Sequence, residues 1–407
     1  MRSALLAISA LITGIGMLNL GLGLQSTLLG VRAVIENFPV TETGMIMSSY
    51  YAGFTLGSIA GPALVNRVGH IQTFAALASM LSASTLMHGI FLEPASWLLL
   101  RFITGICWGG LCLVGESWLN ARATNQNRGA ILSIYMIVGL GASAGAQLLL
   151  NLTPPSGIEL FVLVSIITSL SLVPVALSKS TGPARVNPVR MKISQLYKNS
   201  PLGVAGSFSS GVVNGALWSM SSVFAINMGF STAEVSLFMT AIIIGGTVIQ
   251  WPLGWLSDRI DRRKLIAALC VAALGICAVF VFGTLKQGFW IYLFGALFGG
   301  MTLTLYPLSI AHTNDYLEPD QFISASSAML LLFGAGAISG PVLASLFMFA
   351  IGPEGMFVFI GTINILMIAF AFFRMTQRVA MPVEDQVDFV PGTPRSSPIL
   401  FEMDPRR

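Results

Sequence analysis

Twelve apolar runs, each of 21 residues or more, take up most of this 407-residue chain and leave it no route to a water-soluble fold. They lie near residues 5–29, 41–65, 71–92, 95–120, 128–151 and 158–178, then 201–229, 232–256, 264–284, 288–313, 321–350 and 353–374. As a helix rising 1.5 Å per residue, each crosses a hydrocarbon core of roughly 30 Å. The composition agrees, at 55% hydrophobic and 9% charged, where a soluble domain is about a quarter charged. The first run continues from Ser3 to Val31 without an Ala-x-Ala site. That exceeds a signal-peptide core of roughly 7–15 residues, so it is expected to be a retained helix. Cys107, Cys112, Cys270 and Cys277 sit inside apolar runs and read as small buried hydrophobes.

Lys and Arg resist translocation, so their distribution sets the orientation. With the N-terminus inside, 18 of the 21 fall on segments expected in the cytoplasm, while Arg32 and Lys286 fall outside and Arg101 within a span. The expectation is a multi-pass protein of a bacterial inner membrane with both termini cytoplasmic. It divides into an N-terminal six-helix bundle (1–178), a basic cytoplasmic linker (179–200) with Pro183 and Pro188, a C-terminal six-helix bundle (201–374) and a tail (375–407). The tail is rich in Pro, Asp, Glu and Ser, which predicts disorder. The formal charge of +4 is scattered, so no nucleic-acid partner is expected. A monomer in contact with membrane lipid is.

Three patterns recur between the halves. Gly105-Ile-Cys-Trp-Gly109-Gly110 matches Gly295-Ala-Leu-Phe-Gly299-Gly300 at an offset of 190. Gly139-Leu-Gly141-Ala-Ser-Ala-Gly145 matches Gly334-Ala-Gly336-Ala-Ile-Ser-Gly340 at 195. Pro62-Ala-Leu-Val-Asn66-Arg67-Val-Gly69 matches Gly254-Trp-Leu-Ser-Asp258-Arg259-Ile-Asp261 at 192. Spans two, four and five thus map onto eight, ten and eleven, the mark of duplicated bundles. The glycines themselves are explained by helix backbones approaching closely in lipid.

The run Gly254-Trp-Leu256-Ser-Asp258-Arg259-Ile-Asp261-Arg262-Arg263-Lys264 resembles the signature loop that follows the second and eighth helices of the major facilitator superfamily. The N-terminal copy departs from that pattern, with Pro62 for its first glycine, Asn66 for its aspartate and His70 for a basic residue. Arg101-Phe-Ile-Thr-Gly105-Ile-Cys-Trp-Gly109 is similar to the family's fourth-helix signature. Gly115-Glu116-Ser-Trp118-Leu-Asn120, Asn127-Arg128-Gly129, Gln250-Trp251-Pro252-Leu-Gly254 and Leu305-Tyr306-Pro307 look like its YcaD-like branch. The resemblance implies an all-α membrane protein of about twelve transmembrane helices in two pseudo-symmetric six-helix bundles, working by alternating access. The Gly-Pro signature of many drug/proton antiporters is absent from span five, which weakens an antiporter assignment.

Two charged residues within spans lead the candidates. Arg101 lies about six residues into span four; an intramembrane charge is costly unless it faces the bundle interior or water, and the alternative is snorkelling outward. Its planar fork suits an anionic group or the tuning of a proton-carrying neighbour. Glu116 is either a proton carrier or a gate latch paired with loop arginines such as Arg67, Arg122 and Arg128; its depth near the cytoplasmic end favours the latch. Asn19, Gln25, Tyr50, Tyr51, Trp108, Gln147, Asn214, Trp218 and Tyr306 complete the candidate solute contacts. In the resembled fold their helices line the central cavity, although each is equally suited to bridging helices. Asp258, Arg259 and Arg262 are read as a conformational latch, a carboxylate there being able to cap a helix N-terminus. His70, His88 and His312 are too scattered to hold a metal.

The leading function is secondary transport of a small organic solute, with protons as a candidate partner. The alternative is a membrane sensor that uses the same cavity. Neither a nucleophile–base pair nor a nucleotide loop is present, so an enzyme, an ATP-driven pump or a cofactor is not expected.

Overall fold

The computed structural model describes residues 2–124, 126–177, 191–283, 288–390 and 392. Residues 179–190 of the expected linker, 393–407 of the tail and the outer-loop Lys286 lie outside the described residues. Long helices follow one another: α1 (Arg2–Ile35), α2 (Val40–Val68), α3 (His70–Ile90), α4 (Pro94–Arg122), α5 (Arg128–Leu149), α6 (Glu159–Leu170) and α7 (Leu172–Ala176). Then come α8 (Ile193–Asn199), α9 (Pro201–Asn227), α10 (Thr232–Ser257), α11 (Arg262–Phe282), α12 (Phe289–Asn314), α13 (Phe322–Ile351) and α14 (Gly355–Gln377). No strand occurs among the described residues.

Local chemistry sets these boundaries. Pro94 and Pro201 open α4 and α9, where a missing N–H costs nothing. Ser231 and Glu234 form a reciprocal capping box at the start of α10. The sixth expected span is broken between α6 and α7 because Pro174 cannot donate to the preceding turn. The linker is more than a connector, since α8 lies within it.

Among the described residues, ten helices, counting α6 and α7 as one, are long and apolar enough to cross a membrane. The other two expected spans, α2 and α9, are long enough at 29 and 27 residues but carry many polar groups. In α9 most residues are buried, including Ser207, Ser210, Asn214, Ser219, Ser221 and Ser222. A helix surrounded by protein needs no apolar stripe facing lipid. By contrast, Trp251, Phe282, Phe289 and Phe349 stand largely exposed, as lipid-facing side chains do.

The described residues form two compact units, one of Met1–Phe38 and Ser49–Pro188 and one of Pro39–Ser48 and Val189–Pro394. In the first, α1 packs on α4, α5, α6 and α7, and α3 on α4 and α6. In the second, α9 packs on α12, α13 and α14, α10 on α12, and α11 on α12 and α14. Phe224, Phe238, Phe280, Phe298 and Phe357 fill its core, with ring centroids 4.3–6.3 Å apart.

The sequence repeat has a packing counterpart. A Cβ on Gly105 of α4 would strike the Tyr50 carbonyl of α2, and one on Gly299 of α12 would strike the Ile242 carbonyl of α10. The same helix pair is thus pressed together in both units. Gly141 and Gly145 of α5 have nothing within 4 Å, unlike their counterparts Gly336 and Gly340, which meet the α9 backbone. Gly299→Ala is therefore expected to cost about 1–3 kcal/mol in thermal unfolding of the detergent-purified protein, as overpacking does. Gly145→Ala should be neutral or slightly stabilising.

The sequence presents residues 375–407 as disordered, but the described part of that segment is held in place. Residues up to Gln377 complete α14, and residues 386–390 and 392 run as a strap along the second unit. The Phe389 ring lies over Gly254 and packs on a core that includes Leu202, Leu265 and Leu305. Gln250 Nε2 donates to the Gly392 carbonyl at 3.1 Å. Main-chain hydrogen bonds and one aromatic anchor replace the apolar content whose lack predicts disorder.

Candidate functional site

In the first unit, α1, α4 and α5 border a small cavity of about 10 Å³ lined by Ile15, Leu18, Asn19, Trp108, Leu111, Cys112, Gly115 and Tyr135. Its walls are apolar and aromatic, and no lining residue is charged. Trp108 is buried, and its indole N–H meets no acceptor among the described residues. Asn19 is half-buried and donates to its own helix at Ile15, 2.9 Å away, leaving its carbonyl end available. A buried donor without an acceptor is costly unless something else supplies one.

Glu116 stands directly behind this wall. It is fully buried and accepts a hydrogen bond from Tyr135 Oη at 2.6 Å. The expected latch partner Arg67 is instead exposed, with no hydrogen bond or ion pair among the described residues. One hydroxyl therefore both lines the cavity and solvates the buried carboxylate.

Arg101 does not reach this cavity, since it precedes Trp108 by seven residues, about 10 Å along the helix. It is 2% exposed, which removes the snorkelling alternative, and its guanidinium lies 4.4 Å above the Tyr50 ring. Tyr51 packs edge-on to Tyr50 at 5.2 Å. Gln147 is committed to joining α1 and α5: its amide oxygen accepts from Thr27 at 2.6 Å, and its nitrogen donates to the carbonyls of Gly23 and Ser143. Gln25 is buried with an amide nitrogen that finds no acceptor.

The second unit holds its own buried polar set. Asn214 donates to Ser210 and, at 3.4 Å, to the Thr302 carbonyl of α12. Its amide oxygen has no donor among the described residues, and neither does the hydroxyl of Tyr306, one turn beyond Thr302. The Tyr306 ring packs on Phe333 at 5.0 Å. Trp218 is buried on the same α9 helix as Asn214, one turn further on.

At the start of α11, Arg262 is the hub of a buried ion cluster. It is 1% exposed and bonds Asp258 at 2.8 Å, Ser257 Oγ at 3.0 Å, the Ala311 carbonyl, the Asp315 carboxylate and the Val387 carbonyl of the strap. The strap answers with its own N–H groups: Val387 donates to Asp315 at 3.0 Å and Phe389 to Asp258 at 2.8 Å. Burial pushes the Asp315 carboxyl above the ordinary aspartate range, against the pull of Arg262 and the Val387 N–H. The helix cap expected of Asp258 is made instead by Asp261, which accepts from the Arg263 N–H at 3.0 Å. Burial raises Asp261 as well, but its bonds to Arg263 outweigh that and hold it low. Arg259 lies 3.8 Å over Trp255, outside the cluster.

The family model described as Major Facilitator Superfamily matches residues 4–286 and 203–400. The chain belongs to that superfamily. Among curated relatives, the MFS-type transporter YcaD of Escherichia fergusonii is 24% identical over 357 residues, covering 87% of this chain and 92% of the relative. The MFS-type transporter Ent638_1421 of Enterobacter sp. (strain 638) is 25% identical over 373 residues, 91% and 95% of the two chains. Among solved structures, a mutant of the nucleoside transporter NupG superposes with a TM-score of 0.76 at 14% identity, over 91% of this chain and 99% of that one. A bacterial homologue of the human lysosomal transporter Spinster, inward-facing and unoccupied, gives 0.75 at 15%, over 95% and 99%. A D-xylose–proton symporter gives 0.70 at 13%, over 93% and 99%. These likenesses show the fold.

In this member of the superfamily, the signature loop of the C-terminal half is thus the buried hub, while Arg67 in the degraded copy is exposed. The structure brings Asn19 and Trp108 together and pairs Arg101 with Tyr50, but it sets Gln147 and Arg259 to packing. Tyr135 and Asp315 escaped sequence reasoning. Only the position of Asp315, immediately after a span, hinted at a role.

Proposed function

We propose that this transporter-family chain moves a small organic solute by alternating access across a bacterial inner membrane, with both termini cytoplasmic and protons as the coupled ion. One observation carries the reading: a charge-free aromatic cavity in the first unit shares Tyr135 with the buried Glu116. Changing the proton on Glu116 changes what Tyr135 Oη can donate to, and so changes the wall the solute touches. Aromatic faces, the amide of Asn19 and the unanswered donor of Trp108 suit a neutral, planar, hydrogen-bonding solute. The solved neighbours carry solutes of that general size, a nucleoside and D-xylose by their names, and one is named as proton-coupled. The distribution of Lys and Arg supports the orientation.

The test is a thermal-shift screen of the purified protein against neutral heterocycles, nucleosides, sugars and organic anions, since a ligand of the folded state raises apparent stability. A neutral aromatic hit that is lost in Trp108→Phe supports the reading and supplies the compound for liposome flux. Hits confined to anions would overturn it. Arg101→Lys retains the charge but loses the flat contact with Tyr50. It should slow flux about tenfold or more, in line with the roughly 2 kcal/mol of a desolvated cation–π contact, while insertion and folding stay intact. Unchanged flux would reduce Arg101 to packing.

A further inference from the structure

A second, shallow recess of about 20 Å³ opens where α9 begins and α12 and α14 end. Arg263, Arg374, Arg378, His312 and Tyr316 line it, with residues 199–202. Its charges do not balance. Asp261 answers Arg263 at 2.8 Å. Arg378 lies 3.9 Å over the Tyr316 ring and donates to the Asn199 carbonyl at 2.9 Å, so its charge meets no carboxylate among the described residues. Arg374 makes no hydrogen bond or ion pair with any described residue. Two guanidinium charges therefore converge on one opening without a counter-ion among the described residues.

The surroundings say what kind of anion fits. Phe372 and Phe373, immediately before Arg374, are exposed on α14, a helix apolar enough to cross the membrane. Next to the recess, α8 exposes Ile193 and Tyr197 together with Lys192 and Lys198. Apolar and aromatic side chains bordering a basic rim mark the level of lipid headgroups. A guanidinium fork matches two oxygens of a phosphate group.

We infer that this recess binds the phosphodiester headgroup of an anionic phospholipid, with Arg374 and Arg378 on the phosphate oxygens and Phe372 and Phe373 against the acyl chains. A free phosphate ion shares the headgroup chemistry but makes no use of the apolar border. A zwitterionic lipid would bring its own cation towards three arginines.

The experiment is native mass spectrometry of the full chain, delipidated in neutral detergent and titrated separately with phosphatidylglycerol, phosphatidylcholine and inorganic phosphate. Phosphatidylglycerol should be retained at least about fivefold better than phosphatidylcholine, a factor of about five being what each interfacial arginine contributes. Arg374→Gln with Arg378→Gln should abolish that preference, and the corresponding double Lys variant should recover most of it. Should the double Gln variant melt early, Arg374→Gln alone is read, because this side chain bonds no described residue; it should lose part of the preference. Equal retention of the two lipids, or a preference that survives Arg374→Gln and the double Gln variant, overturns the site. Displacement of phosphatidylglycerol by millimolar inorganic phosphate overturns its lipid character.

Discussion

Arg262→Met is expected to lower thermal stability more than any other single change proposed, by about 3–5 kcal/mol, the usual cost of removing one partner from a buried ion pair. Arg262 bridges two carboxylates that are far apart in sequence, and Asp315 is as deeply buried as Arg262 itself. Without the arginine, Asp315 keeps its burial and loses its cation, so its carboxyl is driven further up. A carboxyl raised in the folded state contributes its full stability below the unfolded value of about 3.9 and loses it as pH rises through the folded value. The deficit of Arg262→Met should therefore be largest at pH 7–8 and shrink as the pH falls towards the carboxylate range. Adding Asp315→Leu should restore much of the loss, because an apolar pair of similar volume replaces a buried ion pair at little cost. The measurement is melting of the purified protein as a function of pH. A flat pH profile, or no rescue, would mean that the cluster's weight lies elsewhere. The Val387 carbonyl would lose the Arg262 donor at the same time, so amide exchange of the strap should rise in step with the loss.

What could be read from the sequence follows the range of the interactions. Span number, helical class and duplicated halves depend on hydropathy and short-range spacing, and these survive in one dimension. That α4 and α12 press closely on a neighbour was legible for the same reason, as glycines at four-residue spacing, while the neighbours themselves, α2 and α10, were not. Trp108 and Asn19 could be picked out because polar groups near mid-span have few uses. Tyr135 could not, since a tyrosine on a moderately apolar helix carries no periodic signal and gains its meaning only when α5 brings it to Glu116. Arg67 was chosen because the family resemblance places it near Glu116, yet the loss of its aspartate to Asn66 already removed the carboxylate that anchors the other copy. The strap was misread because composition measures burial, whereas residues 386–390 and 392 are held largely by main-chain groups that any sequence possesses.

Glu116→Gln should abolish proton-driven accumulation of the solute found by thermal shift while sparing its exchange across the membrane. The substitution is nearly isosteric, and the amide oxygen can still accept from Tyr135 Oη, so the wall behind Trp108 keeps its shape. What disappears is the ability to take up and release a proton. Net coupled transport needs that step in every cycle, whereas exchange needs only the solute-loaded carrier to reorient. Accumulation should drop at least tenfold, with exchange within about twofold of the wild type. A matching result is expected from pH: exchange in Glu116→Gln should lose most of its pH dependence between pH 5.5 and 8. Tyr135→Phe tests the link between the two functions, because it removes the hydroxyl from both the cavity and the carboxylate, and it should weaken solute affinity and coupling together. If Glu116→Gln loses exchange and accumulation alike, the residue is a gate latch, and another group must carry the proton. If both persist, Glu116 serves only to hold α5 against α4. The three outcomes differ in kind because the carboxylate is buried behind the solute cavity and Tyr135 is the hydroxyl the two share.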